Sequence, residues 1–415
     1  SGRIGSNDQG DPRMRDVGES RRLLEGIRVV DLSRIIAGPF CSQILGDMGA
    51  DVIKVEQPGS GDETRTWGPP FANGEAVYFF CVNRNKRSVT INLKDPRGQV
   101  ILRELVNRSD ILLENFKPGT LTKLGLDYAV LRQENPRLIY CAISGFGRTG
   151  PYADRGGFDV IVQAVGGLMG ITGEPDGPPV KVGVAMTDIA TALYAHGAIL
   201  AALYARERTG VGQRIDTSLL ETQIAALINI ASSYLNGGEL PKKWGTAHPS
   251  IVPYQAFRTK DGSLILGGAT DRLWIKLCEA LELPAVAHDP AYATNEQRVR
   301  HRAQIVRLLE ERLVTKTRKE WEAILAPTGV PCGAINRMDE VFADPHVQHL
   351  GMVLEATHPQ TGPIRMVRNP VTFSEMPVDL RQLPPRLGEH TEEVLGDLLG
   401  YSAGEVRDLR AAGVV

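Results

Sequence analysis

Ile27-Arg28-Val29-Val30-Asp31-Leu32, then Ser33-Arg34-Ile35-Ile36-Ala37-Gly38-Pro39, an apolar run over residues 40–48, Gly49-Ala50-Asp51 and Val52-Ile53-Lys54-Val55-Glu56 follow one another without a break. The first block is short and β-branched, and the second turns the chain. The third reads as a buried helix, and a glycine ends it before a second β-branched block. Strand, helix, glycine stop and strand is the order of a βαβ unit, which builds a parallel sheet. The order recurs. Residues 88–93 precede a helix over 96–109, residues 111–115 precede one near 128–134, and residues 138–143 form a further strand.

Working outward, the sequence predicts a large α/β domain over residues 22–210 with at least four parallel strands. Two Ala- and Leu-rich helices are expected over 187–206 and 219–235, with a strand at 214–216 between them and a helical linker over 211–240. Residues 241–335 change texture to glycine-punctuated strands (254–257, 264–267) and charged helices (296–314, 318–325), a smaller α+β domain. Residues 336–415 return to complete the large domain, with Pro384-Pro385 as a linker mark. Residues 1–21 are polar, without apolar periodicity, and read as a disordered tail. Because the chain begins Ser-Gly, part of that tail reads as an added remnant with Met14 as a native start; a trimmed organellar precursor is the alternative.

Composition excludes several classes. The 415 residues carry 47 Lys+Arg against 49 Asp+Glu, a net charge of −2, which gives no electrostatic reason to expect nucleic acid or an anionic membrane. Five scattered cysteines without CxxC spacing argue against a disulfide framework and for a reducing, intracellular compartment. The eight histidines include no HxH or HExxH, so no metal centre is expected. There is no GxSxG elbow.

Four segments bear chemistry. The turn at residues 33–39 ends the first strand, where open α/β sheets bind ligands, but it is no GxGxxG fingerprint. Gly59-Ser60-Gly61-Asp62 could cradle phosphate or be a plain loop; it lacks the P-loop ending. Asn83-Arg84-Asn85-Lys86-Arg87-Ser88 places three cations before a strand, either a solvated turn or a polyphosphate or carboxylate contact. Asp188 stands among small and apolar residues at a helix start, where a carboxylate caps free amides or, if buried, serves as a nucleophile. Both readings stand at this point.

Taken together, LEGIRVVDLSRIIAGPF, LGDMGADVIKVEQPGSGDETR, NRNKRSVTINLKDPRG, LLENFKPGTLTKLGL, ISGFGRTGPYADRGGFD and GVAMTDIATALYAHGAILAALYARERTGVGQ resemble the family III CoA-transferases, which include formyl-CoA transferase and the α-methylacyl-CoA racemases. GVPCGAINRMDEVFADPHV and PPRLGEHTEEVL continue the likeness in family order. The segments KKWGTAHPSIVPYQAF and TRTWGPPF resemble the succinyl-CoA–dicarboxylate branch most. The resemblance implies the family's Rossmann-like fold, an interlocked ring-shaped homodimer, and CoA thioesters as substrates with no prosthetic group. It implies transfer of CoA from succinyl-CoA to glutarate or a related diacid. A mitochondrial matrix location would fit a eukaryotic source and the cytoplasm a bacterial one. The alternatives are an acyl-CoA racemase or transfer to malate, itaconate, oxalate or carnitine.

By the same resemblance Asp188 matches the catalytic aspartate, which carries aspartyl anhydride and aspartyl-CoA thioester intermediates. CoA contacts fall on Ile36 and Ala37; Ile91, Asn92, Leu93 and Lys94; Asn115, Phe116, Lys117 and Lys123; and Gly156, Gly157, Phe158 and Asp159. Lys86, Arg87, Lys94, Lys117 and Lys123 all lie on segments the family uses around CoA. Gln57 departs from a position often held by Arg. Phe158 replaces the racemases' general-base histidine and cannot abstract a proton, which favours transfer. Trp244-Gly245-Thr246-Ala247-His248 replaces the glycine-rich lid of formyl-CoA transferase, against oxalate. For a distal carboxylate Arg84 is the first candidate, then Arg65 and His248, each with a structural role as its alternative.

Overall fold

The computed structural model describes residues 22–415, so the expected tail lies outside the described residues. The chain forms two compact units. One comprises residues up to Val162 with Met186–Gln223 and Gly351–Val415; the other comprises Gln163–Ala185 and Ile224–Leu350.

In chain order the first unit contains β1 (Arg28–Asp31), α1 (Ala37–Asp47), β2 (Asp51–Glu56), β3 (Lys86–Thr90), α2 (Pro96–Asn107), β4 (Ile111–Glu114), α3 (Tyr128–Glu134), β5 (Ile139–Ser144), the start of α4 (Asp159–Val165), α5 (Met186–Thr209) and β6 (Arg214–Ser218). The six strands pair in the order β3-β2-β1-β4-β5-β6, every pair parallel. That is the doubly wound arrangement in which strand order reverses beside β1. Side chains alternate across it as a period of two requires. Val30, Leu32, Ile53, Val55 and Leu112 face one core with α2, α3 and the C-terminal Val414 and Val415. Val29, Val52, Ile111, Leu113 and Cys141 face the other, where Ala192, Ala195, Ile199 and Leu203 of α5 pack. By length and composition α5 could cross a membrane. Those buried core residues, with Asp188 and Arg206 also buried, make it the central helix of this unit.

In the second unit a three-stranded antiparallel sheet (Cys332–Ala334, Ser263–Gly267, Tyr254–Arg258) packs on helices around buried Trp274 and Trp321. Two expected long helices are each broken. Residues 219–235 become Leu219–Ala225 and Ile228–Gly237, because Ile228 takes a φ of +38°, which cannot continue a right-handed helix. The span expected over 296–314 becomes Asn295–Arg300 and Arg302–Leu313, separated at His301.

Candidate active site

The reversal of strand order leaves a crevice between the loops that follow β1 and β4. The two loops are tied together: Asn115 accepts from the Arg34 N–H at 2.9 Å and donates to the Arg34 carbonyl at 2.8 Å. Residue 35 lies beyond this tie with a φ of +72°, unusual for a β-branched side chain. Its N–H points to the Asp62 carboxylate.

Asp188 lies in a crevice of about 60 Å³, with Arg34, Ile35, Ile36, Ala37, Asn115, Gly157 and Phe158 among its walls. It occupies the first turn of α5, where amides lack intrahelical partners. The capping work there falls to another acid. Asp159, the first residue of α4, accepts from Thr187 N at 2.8 Å and from Asp188 N at 3.4 Å. Among the described residues no hydrogen bond engages the Asp188 carboxylate, which removes the capping reading for that side chain. Asp188 is 9 % exposed. Burial, with the Asp159 charge added, pushes its carboxyl up to about 7. Burial and the neighbouring charges of Cys81, Asp188 and Asp159 also raise the Tyr78 hydroxyl.

A larger cavity of about 490 Å³ opens at the carboxyl ends of β1, β2 and β3. Ile91, Leu93, Phe116 and Leu121 give it apolar walls, and Arg34 and Lys94 bring cations. Arg34 lines both this cavity and the Asp188 crevice. Its guanidinium lies 5.3 Å from the Phe116 ring centre and 2.5 Å from Glu63. A third hollow, of about 30 Å³, takes Lys117, Phe116 and the buried Glu114, whose carboxyl burial pushes up to about 7.

Thus Ile36, Ala37, Asn115, Gly157, Phe158 and Asp188 meet in one crevice, and Ile91, Leu93, Lys94 and Phe116 meet in the large cavity. Asn92 shapes the turn instead, accepting from Lys94 N and donating to Gly413 O. Lys123 ends the short helix Thr120–Lys123, and Gly156 precedes the crevice wall.

Other cations point elsewhere. Lys86 is fully buried, with its ammonium on Asp31 at 3.3 Å, Pro39 O at 2.8 Å and Asn83 at 2.9 Å. Arg87 pairs with Asp51 and Glu393. Neither lines a cavity described above, so the expected cluster of five cations around CoA shrinks. Arg84 makes a bidentate pair with Asp47 at 2.9 and 2.6 Å and donates to Val367 O. Arg65 does the same with Glu56, both contacts 2.7 Å, and lies 3.7 Å over Phe79. In the second unit His248 accepts from Ser250 N at 3.0 Å and stacks edgewise on Tyr254. Sequence reasoning missed Arg34, although its position in the loop at the reversal point was the available signal.

Fold and crevice define a class: a doubly wound α/β protein with a buried carboxylate at its ligand-binding edge. The model of CoA-transferase family III matches residues 24–391. The chain is 46% identical over 397 residues to the mouse succinyl-CoA:glutarate CoA-transferase, covering 96% of this chain and 91% of that one. It is also 46% identical over 391 residues to succinate–glutarate CoA-transferase of Agrobacterium fabrum, covering 93% and 98%. A crystal structure of a CAIB/BAIF family protein from Brucella suis superposes with a TM-score of 0.81 at 46% identity, covering 91% of this chain and all of that one. The chain belongs to CoA-transferase family III, and it is a CoA-transferase.

Proposed function

We propose that this enzyme moves coenzyme A from succinyl-CoA to glutarate or a closely related diacid, with Asp188 as nucleophile. The observation that carries the reading is the Asp188 carboxylate, buried at the crevice and engaged by no hydrogen bond among the described residues, while Asp159 caps its helix. Relatives named for succinyl-CoA and glutarate at 46% identity support the choice of donor and acceptor.

The ionised Asp188 attacks the thioester carbonyl, the C–S bond breaks, and CoA leaves as thiolate from a succinyl–aspartyl anhydride. The thiolate attacks the aspartyl carbonyl and releases succinate, which leaves an aspartyl-CoA thioester. The acceptor carboxylate attacks that carbonyl, expels CoA thiolate and forms a new mixed anhydride. Thiolate attack on the acceptor's acyl carbon then yields the new acyl-CoA and frees Asp188. Each step exchanges one anion for another, so no proton carrier is required. Covalent catalysis divides the exchange, and the small volume of the crevice, about 60 Å³, leaves little room for water beside the anhydrides.

In this reading CoA's nucleotide end occupies the 490 Å³ cavity, with Arg34 and Lys94 toward its phosphates and Phe116 and Leu121 against apolar surface. Its pantetheine arm passes Arg34 toward Asp188. Phe158, a wall of the crevice, has no proton-accepting atom, which disfavours racemisation. We also propose the family's interlocked homodimer; exposed Leu193, Tyr194 and Tyr204 on α5 supply an apolar face for it.

A panel of succinyl-CoA with glutarate, malate, itaconate, oxalate and carnitine tests the substrate choice. Glutarate is expected to give the highest kcat/KM, and a clear preference for another acid would overturn it. Asp188→Ala should abolish transfer while CoA binding persists, and hydroxylamine during turnover should modify Asp188. Undiminished transfer refutes the nucleophile, and solvent-deuterium exchange at the acyl α-carbon without an acceptor would overturn transfer in favour of racemisation.

A further inference from the structure

We infer that Asp62, with its partner Lys54, is a positioning residue that holds the Arg34–Ile36 turn in its reactive shape. The inference rests on the transfer reading above. Asp62 is 2 % exposed and Lys54 fully buried. The Lys54 ammonium reaches the Asp62 carboxylate at 2.8 Å and the Ser33 carbonyl at 2.9 Å. The two Asp62 oxygens face the Ile35 N–H at 3.3 and 3.2 Å. Residues 33 and 35 are therefore held by one buried ion pair, while Asn115 holds residue 34 between them.

The need for a clamp lies in Ile35. Its φ of +72° is a conformation that a β-branched residue adopts only when its surroundings impose it. Released, the residue would relax to negative φ and swing Arg34 and Ile36, both walls of the Asp188 crevice. Asp62 has further fixed partners, Thr64 N at 3.0 Å, Thr64 Oγ1 at 2.8 Å and, through its own N–H, Glu56 at 3.0 Å. Both of its oxygens face donors, so neither can be replaced by an NH2 group without a donor–donor clash. Lys54 and Asp62 also border the large cavity, but their charged atoms are engaged by one another, Ser33, Ile35 and Thr64, so the clamp acts on the turn, and the turn on the substrate.

Two readouts test this. Hydrogen exchange over residues 33–37, followed by mass spectrometry on the full chain, should be about 10-fold faster in Asp62→Asn than in the native protein. Unchanged exchange there overturns the clamp. In steady-state transfer, Asp62→Asn should lower kcat about 30-fold with a smaller change in the acyl-CoA KM. In the Ile35→Gly background the same substitution should cost less than about 3-fold, since glycine takes positive φ unaided. Equal losses in both backgrounds would mean a merely structural role and sink the proposal. Should Asp62→Asn not fold, Ile35→Pro leaves the ion pair intact but removes the N–H and forces negative φ. Folded Ile35→Pro with native kcat would likewise overturn it. A native chain without transfer refutes the functional reading alone, because the exchange measurement stands without activity.

Discussion

Asp159 and Asp188 share one helix end in opposite roles: the Asp159 carboxylate accepts from the Asp188 amide at 3.4 Å, and its charge helps keep the Asp188 side chain protonated. In the nucleophilic role proposed above Asp188 must be ionised, and on that reading this placement sets the pH at which the enzyme starts to work.

With the Asp188 carboxyl at about 7, log kcat/KM is expected to rise with unit slope below that pH and to level off above it. Asp159→Asn removes the like charge but leaves burial, the larger cause, in place. The midpoint of the acid limb should therefore move down without reaching the ordinary carboxylate range. A pH–rate profile of the two proteins checks this, and an upward or absent shift contradicts the electrostatic link.

The same shift has a stability consequence whose sign is fixed. Folded Asp188 titrates near 7 and ordinarily near 3.8, so between those values the folded state holds a proton that the unfolded state has lost. Stability then falls as pH rises through that window, by about 1.4 kcal/mol per unit and at most about 4 kcal/mol in total. Asp188→Asn lacks the charge and keeps the shape. It should be inactive yet more stable than the native chain at pH 8, with the difference vanishing toward pH 4. Denaturant titrations across that range read the outcome; an Asp188→Asn chain less stable at pH 8 would mean that the carboxylate is not penalised by burial.

The sheet was legible because its signal is local. Val29 and Val30 face opposite cores as adjacent strand residues must, and β1, α1 and β2 follow in the order their composition dictates. The cations were not, since a lysine's sign says nothing of a counter-ion far along the chain. Lys86 lies against Asp31, 55 residues earlier, and Arg84 against Asp47, 37 residues earlier. Such pairs empty a surface cluster into the core. For Asp188 the sequence left cap and nucleophile open, because only the fold brings Asp159, 29 residues before it, to the helix end.

Arg34 is half exposed and its pair with Glu63 is of the kind that adds little to folding. Its position on both cavities gives it a different weight in binding. Arg34→Ala is expected to raise the dissociation constant for CoA about 10- to 100-fold, or roughly 1.4–2.7 kcal/mol, with an unchanged thermal midpoint. Calorimetric titration with CoA, beside a thermal melt, separates the two effects. Equal affinity would remove Arg34 from the CoA path, and a lowered midpoint would make it structural.

Gly145 and Gly157 bring two backbone segments together at the crevice wall, and neither tolerates a side chain. A Cβ on Gly157 would lie 2.5 Å from the Gly145 Cα, and one on Gly145 would lie 2.7 Å from the Gly157 Cα. Those obstacles are main chain, so they cannot rotate away, and the segments must part. Both residues line the crevice with Asp188, and Gly157 stands two residues before the Asp159 that caps its helix. Gly157→Ala should therefore shift the wall against Asp188, the proposed nucleophile. A misplacement on the order of 1 Å lowers rates about 100-fold when geometry controls the attack. The expected result is a loss of that order in kcat, with CoA affinity nearly retained because the large cavity is formed by other loops. Single-turnover formation of the aspartyl-CoA thioester gives the direct measurement. A native rate would show that the close approach of these glycines serves packing and not the reaction.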